Sequence, residues 1–153
     1  QAGPMTWAWD ERSCGVLNEL RQDLRTVIEG AAKVCPVEFQ LVDGARTIDE
    51  QRKLFAAGKS KINPDSLDPK ELVEQAKHVV NKIEPKARAV DIVLRVSGKA
   101  ALAYDRTHLA FVAGVIVSEG ARRNIPIRWG GNWDRDGEVI TDQTFQDLVH
   151  FEV

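Results

Sequence analysis

At 153 residues and 17.0 kDa the chain has the length of one domain with a single sizeable core. Its 43% hydrophobic and 29% charged residues describe a globular protein, and a net charge of −2 with a pI near 6.0 leaves no basic footprint for nucleic acid or an anionic membrane. The longest apolar run, residues 109–117, is far shorter than the roughly 20 residues that span a bilayer, so no membrane segment is expected.

Residues 1–4, ahead of Met5, read as a cloning remnant, which leaves 5–153 as one domain. No basic stretch followed by an apolar one marks a signal peptide, so synthesis in the cytoplasm is expected. Trp7 and Trp9 read as core anchors ahead of a helix over about 15–33, whose Leu17, Leu20, Leu24, Val27, Ile28 and Ala31 form one apolar stripe. Cys35-Pro36 ends that helix. Cys14 and Cys35 have neither metal-site spacing nor the numbers for a disulfide framework, and two buried thiols are expected. Residues 37–42 alternate as a strand, and Asp43-Gly44 turns the chain. Thr47-Ile-Asp-Glu50 is a capping box that opens a helix to about Ala57, stopped by Gly58. Arg46 stands just before that cap and, taken alone, is a solvated charge.

Asp68 and Pro69 open a second short helix, capped by the Asp, which should run to about Lys77 and deliver His78 at its end. Residues 81–86 form an irregular excursion closed by Pro85. Residues 88–94 are a strand with Val90, Ile92 and Leu94 on one face and Ala89, Asp91 and Val93 on the other. A carboxylate inside an apolar strand must be protonated, paired or bound to a metal, which singles out Asp91. Asp105 caps a long helix to about Arg123, with Leu109, Val112, Val115 and Ile116 toward the core, and His108 reads as a surface or capping histidine. Trp129-Gly-Gly-Asn-Trp133 leads to an acidic turn at 134–137. The last residues, Asp147-Leu-Val-His150-Phe-Glu152-Val153, alternate as a strand with Val149, Phe151 and Val153 on one face and His150 and Glu152 on the other.

Two histidines and one carboxylate are a recurring catalytic zinc set that keeps a fourth position for water. His78, Asp91 and His150 can supply it, with Asp147 as the base that takes the water's proton. No HExxH is present.

Several short pieces stand in order along the chain: Gly44-Ala-Arg46-Thr47 with Glu50-Gln51 and Leu54, then Gly58-Lys59-Ser60, Ala87-Arg-Ala89-Val-Asp91, Trp129-Gly-Gly-Asn-Trp133 and Phe145-Gln-Asp147-Leu-Val-His150-Phe-Glu152. From about Trp9 onward the chain thereby resembles the zinc peptidoglycan peptidases of the D-alanyl-D-alanine carboxypeptidase and L-alanyl-D-glutamate endopeptidase group, which includes VanY-like enzymes and phage endolysins. The resemblance implies an α+β fold of the hedgehog/D-Ala-D-Ala peptidase type, a small and mostly antiparallel sheet packed by helices, with one zinc ion (Zn2+) at the sheet edge. It implies Asp147 as general base and Arg46 as the cation that polarises the scissile carbonyl. Gln51 and Ser60 become supporting residues on the substrate side. Trp129 and Trp133 become walls of the substrate groove, with burial in the core as the alternative. Glu152 becomes the acceptor that orients His150.

The first metal position stays open. In the group's SxHxxGxAxD pattern Asp91 and Ala89 fit the last positions, yet seven places before Asp91 stands Glu84, and Ala87 replaces the glycine. His78, thirteen places before Asp91, fits if a few residues are inserted. The expected activity is hydrolysis of a bond in peptidoglycan stem peptides, as a phage-type endopeptidase or a D,D- or L,D-carboxypeptidase, by a monomer that reaches the wall after holin-type release. A degenerate site would leave a non-catalytic module that binds cell-wall peptide.

Overall fold

A computed structural model describes residues 7–153; the expectation for residues 1–4 lies outside them. The first long helix is in fact two, α1 (Glu11–Glu19) and α2 (Gln22–Val34). Asp10 caps α1 by accepting from the Ser13 amide at 2.7 Å. The break falls at Leu20-Arg21 because this backbone is claimed elsewhere: Arg21 N–H donates to Ala87 O and Ala87 N–H donates to Glu19 O, both at 2.8 Å. The apolar stripe runs on through the break, with Leu17, Leu20 and Leu24 all buried. Periodicity follows the stripe and cannot see a distant backbone partner.

Four strands, β1 (Glu38–Asp43), β2 (Ala89–Arg95), β3 (Arg128–Gly130) and β4 (Asp147–Glu152), form one antiparallel sheet in the order β1-β2-β4-β3. The terminal strand is therefore internal. Its alternation is the expected one: Phe151 lies in the core with Val149 and Val153 packed against it. α2 and α5 (Arg106–Arg122) pack together, and Leu24, Val27 and Ile28 from one meet Leu109, Val112 and Ile116 from the other in the core beside Phe39, Val90 and Ile92. Val115 is only half-buried. Trp7 and Trp9 pack edge-on against Phe39, with ring centroids 5.4 and 5.6 Å away.

The remaining helices, α3 (Ile48–Ala56) and α4 (Pro69–Gln75), lie in the stretch between β1 and β2. A separate small core of Leu72, Val73, Ala76 and Val79, flanked by Ile48, Ile62 and Leu67, holds this stretch together. Both cysteines are free, as expected, but Cys14 is exposed. α1 buries Ser13, Val16 and Leu17, which turns Cys14 outward. No helix among the described residues is long and apolar enough to cross a membrane.

Candidate metal centre and cleft

Sheet register builds half of the site. Asp91 on β2 and His150 on β4 are direct antiparallel partners, so one carboxylate and one imidazole meet on the two central strands. This places the pair within the sheet and not at its edge, because β3 flanks β4 on the side away from β2.

His78 arrives from the excursion. Asp68 caps α4 by accepting from the amides of Lys70 and Glu71 at 3.0 and 2.9 Å, with Pro69 at the first helical position. Past the helix end, Arg46 N–H donates to His78 O at 2.7 Å and Val80 N–H donates to Arg46 O at 3.0 Å. This short bridge pins His78 beside Arg46.

The ligand atoms converge. His78 Nε2 and His150 Nδ1 lie 3.3 and 3.1 Å from the same oxygen, Asp91 Oδ1, and His78, Asp91 and His150 offer ligand atoms all within 4.8 Å of one another. The outer nitrogens are already committed. His78 Nδ1–H donates to Gly44 O at 2.7 Å, and His150 Nε2–H donates to Glu152 Oε1 at 2.8 Å. These outer acceptors orient each ring so that its inner nitrogen faces Asp91 and offers a lone pair to a metal ion whenever it carries no proton. Glu152 is held in turn by Arg128 at 2.7 Å. Two imidazole nitrogens and a carboxylate oxygen, aimed inward and fixed from behind, are a donor set that fits a divalent metal ion.

The electrostatics follow from burial set against partners. Burial alone would raise the pKa of Asp91, but hydrogen bonds from His150 and His78 hold it well below the usual carboxylate range. Burial also disfavours charge on His150, yet Asp91 and Glu152 together push its pKa up to about 9. Glu152 would rise through burial and is instead brought down to about 2 by His150 and Arg128. Asp147 moves the other way: burial raises its pKa, and the charge of Asp91 adds to the rise. Its Oδ2 stands 4.0 Å from His150 Nδ1, beside the metal-facing atoms.

A cleft of about 380 Å³ opens over this centre, lined among others by Arg46, Ser60, His78, Trp133, Asp147 and His150. Gln51 lies under the wall and not on it. It is fully buried, its Oε1 accepts from Arg46 Nη1 at 2.9 Å, and its Nε2 donates to Ser60 Oγ and Ile62 O, each at 2.9 Å. Buried and with both amide hydrogens used, Gln51 is out of a substrate's reach, and its place is to tie Arg46 to the 58–62 turn.

The two tryptophans separate. Trp133 lines the cleft, stacked on Phe145 at 5.9 Å and carrying the Arg128 guanidinium 5.2 Å above its ring. Trp129 is buried, its Nε1–H donates to Leu148 O at 2.8 Å, and its ring faces a different hollow with Ala113, Val117 and Ile127. Trp129 is thus core and no wall of this cleft, because its strand position opposite Phe151 turns it inward. Glu84 stands 3.4 Å from Arg21 and is not part of the converging group. His108 pairs with its own cap, Asp105. Sequence reasoning missed Arg128, Lys77 and the Gly44 carbonyl as parts of the site. The first two carry no motif of their own, and a backbone acceptor leaves no trace in side-chain identity.

The comparisons with known proteins give a family and a fold. No curated protein sequence gives a significant match. A solved structure, the Serratia marcescens L-Ala D-Glu endopeptidase ChiX, is similar in fold at 23% identity, covering 95% of this chain and 90% of that one with a TM-score of 0.67. The profile of the family described as phage L-alanyl-D-glutamate peptidase matches residues 5–153, and the chain belongs to that peptidase family.

Proposed function

We propose that the protein is a zinc endopeptidase that hydrolyses the L-Ala–D-Glu bond of peptidoglycan stem peptides. The observation that carries this reading is the convergence of His78 Nε2, Asp91 Oδ1 and His150 Nδ1, with Asp147 beside them in an open cleft. His78, Asp91 and His150 would hold the ion. When bound, zinc supplies Lewis acidity, which brings the pKa of a water down to about 7 and polarises a carbonyl.

The chain's own residues do the rest. Asp147 accepts a proton from the attacking water and later returns it to the nitrogen of the leaving glutamyl residue. Its raised pKa suits a carboxyl that must carry that proton between the two steps. Arg46 turns its guanidinium toward the oxygen of the scissile carbonyl, where negative charge develops, and Gln51 fixes its direction. Trp133 and Phe145 wall the cleft and exclude water on one side. The protein works as a monomer on the cell wall, reached through a separate membrane-permeabilising protein of holin type.

Mass spectrometry of digested muropeptides tests the proposal. A product pair ending in L-Ala and beginning with D-Glu is expected. Release of free D-Ala would make the enzyme a carboxypeptidase, and tight binding without any product would make the chain a binding module.

A further inference from the structure

Four cations line the cleft: Arg46, Lys59, Lys77 and Arg128. Three are engaged. Lys77 Nζ donates to Val153 O at 2.7 Å and lies 3.9 Å from Glu152, Arg128 binds Glu152, and Arg46 binds Gln51. Lys59 makes no ion pair within 4.0 Å among the described residues. It also lines both hollows that adjoin the cleft, one with Arg46 and Lys53 and the other with Ser60, Lys61 and Phe145.

Its backbone is held on both sides. Gly58 ends α3 in the left-handed region at φ +71°, and Gly58 N–H donates to Phe55 O at 3.0 Å while Lys59 N–H donates to Leu54 O at 2.9 Å. On the far side Ser60 Oγ accepts from Gln51 Nε2 at 2.9 Å and from Ile62 N–H at 3.2 Å. A lysine on a fixed turn keeps a mobile ammonium within a limited arc of the cleft mouth. The floor below is acidic, with Asp91, Asp147 and Glu152. Asp91 and Glu152 are paired with His78, His150 and Arg128, so an anionic group on a substrate is drawn to a cation on the wall that these carboxylates do not engage.

We infer that Lys59 is the residue that recognises the carboxylate next to the scissile bond. The inference rests on the L-Ala–D-Glu activity proposed above. In that bond the leaving nitrogen sits on a carbon that also bears a carboxylate, so an anion two bonds from the reacting nitrogen enters the cleft with every substrate. The shared chemistry is a peptide carboxylate on the leaving side; the glutamyl carboxylate is one source and a carboxylate of the following diamino acid another. Lys59 binds the first and thereby sets which way the stem peptide lies across the centre.

The test compares two stem peptides, one with the free glutamyl carboxylate and one with that group amidated, both with the same following residue. Wild-type protein should favour the free acid in kcat/KM by about tenfold, through KM, since a charge-assisted contact of this kind is of that size. Lys59→Gln should bring the ratio of the two near one, and Lys59→Arg should restore it. A Lys59→Gln ratio equal to that of wild type overturns the inference, and so does a fall in thermal stability with no change in ratio, which would make Lys59 a counter-charge for the C-terminal end of α3. Loss of preference only when the following residue's carboxylate is removed would assign Lys59 to that other source and overturn it as well. Wild-type protein that cleaves neither peptide overturns the peptidase reading itself, a result distinct from an active enzyme whose ratio ignores Lys59.

Discussion

Among the described residues, two groups of side chains bring three ligand atoms within 4.8 Å of one another: His78, Asp91 and His150 at the sheet, and Asp134, Asp136 and Asp142 in the loop before β4. His78 and His150 are buried and Asp91 half-buried, while all three loop aspartates are exposed. At the sheet each ring nitrogen that faces away from the centre has its own acceptor, Gly44 O or Glu152. In the loop the carboxylates are satisfied by their own turn, as where Asp136 accepts from the Glu138 amide at 2.9 Å. Backbone turning alone can gather carboxylates in solvent. Gathering two imidazoles and a carboxylate inside the fold, with each ring held from behind, takes partners on separate segments, and a donor set held in this way fits a metal ion.

Removing ligands should break the comparison most severely. His150→Ala or His78→Ala should abolish both stoichiometric zinc and muropeptide cleavage, whereas a triple Asp134→Asn, Asp136→Asn, Asp142→Asn variant should keep one equivalent of zinc by elemental analysis and the wild-type rate. A triple variant that loses zinc would reverse the ranking of the two groups. Asp147→Asn should retain the metal and lose about 10²–10⁴-fold in kcat, the usual range for a general base, as read in steady-state cleavage of a stem peptide.

Smaller effects sharpen the role of the partners behind the centre. Asp91 and Glu152 hold the pKa of His150 up to about 9, so a proton occupies the metal-facing nitrogen at neutral pH and must leave when the ion binds. Zinc affinity should therefore fall about tenfold per unit as pH drops below about 9, in competition titrations with a chelator. The loop aspartates have no such imidazole. Glu152→Gln should weaken zinc by about 10–100-fold when measured above that pH, the cost typical of a lost outer partner. Gln51→Ala should lower kcat by about tenfold with little change in zinc, and should add little more in an Arg46→Ala background, since both act through one guanidinium.

How much of this was legible in the sequence differs from element to element. The Thr47–Glu50 capping box, the Asp68-Pro69 start and the strand around Asp91 are all present as read, because each rests on chemistry within a few residues. The break at Leu20 was hidden because Ala87 causes it from far along the chain. Asp91 and His150 stood out as polar groups in apolar strands, but only the antiparallel register makes them neighbours. The open choice between His78 and Glu84 could not be resolved by spacing. The small core under α4 and the bridge to Arg46 bring His78 in, while Arg21 draws Glu84 away. Trp129 and Trp133 share a motif and differ in fate because one faces Phe151 across the sheet and the other has already left it.

The most direct measurement is a zinc titration of chelator-stripped protein with cleavage of a defined stem peptide followed by mass spectrometry at each point. The account predicts that activity is absent at the start, rises in proportion to zinc, and reaches its plateau at one equivalent, with L-Ala–D-Glu cut and with no recovery in His150→Ala. Full activity in the stripped wild-type protein, or a plateau that persists in His150→Ala, would contradict it.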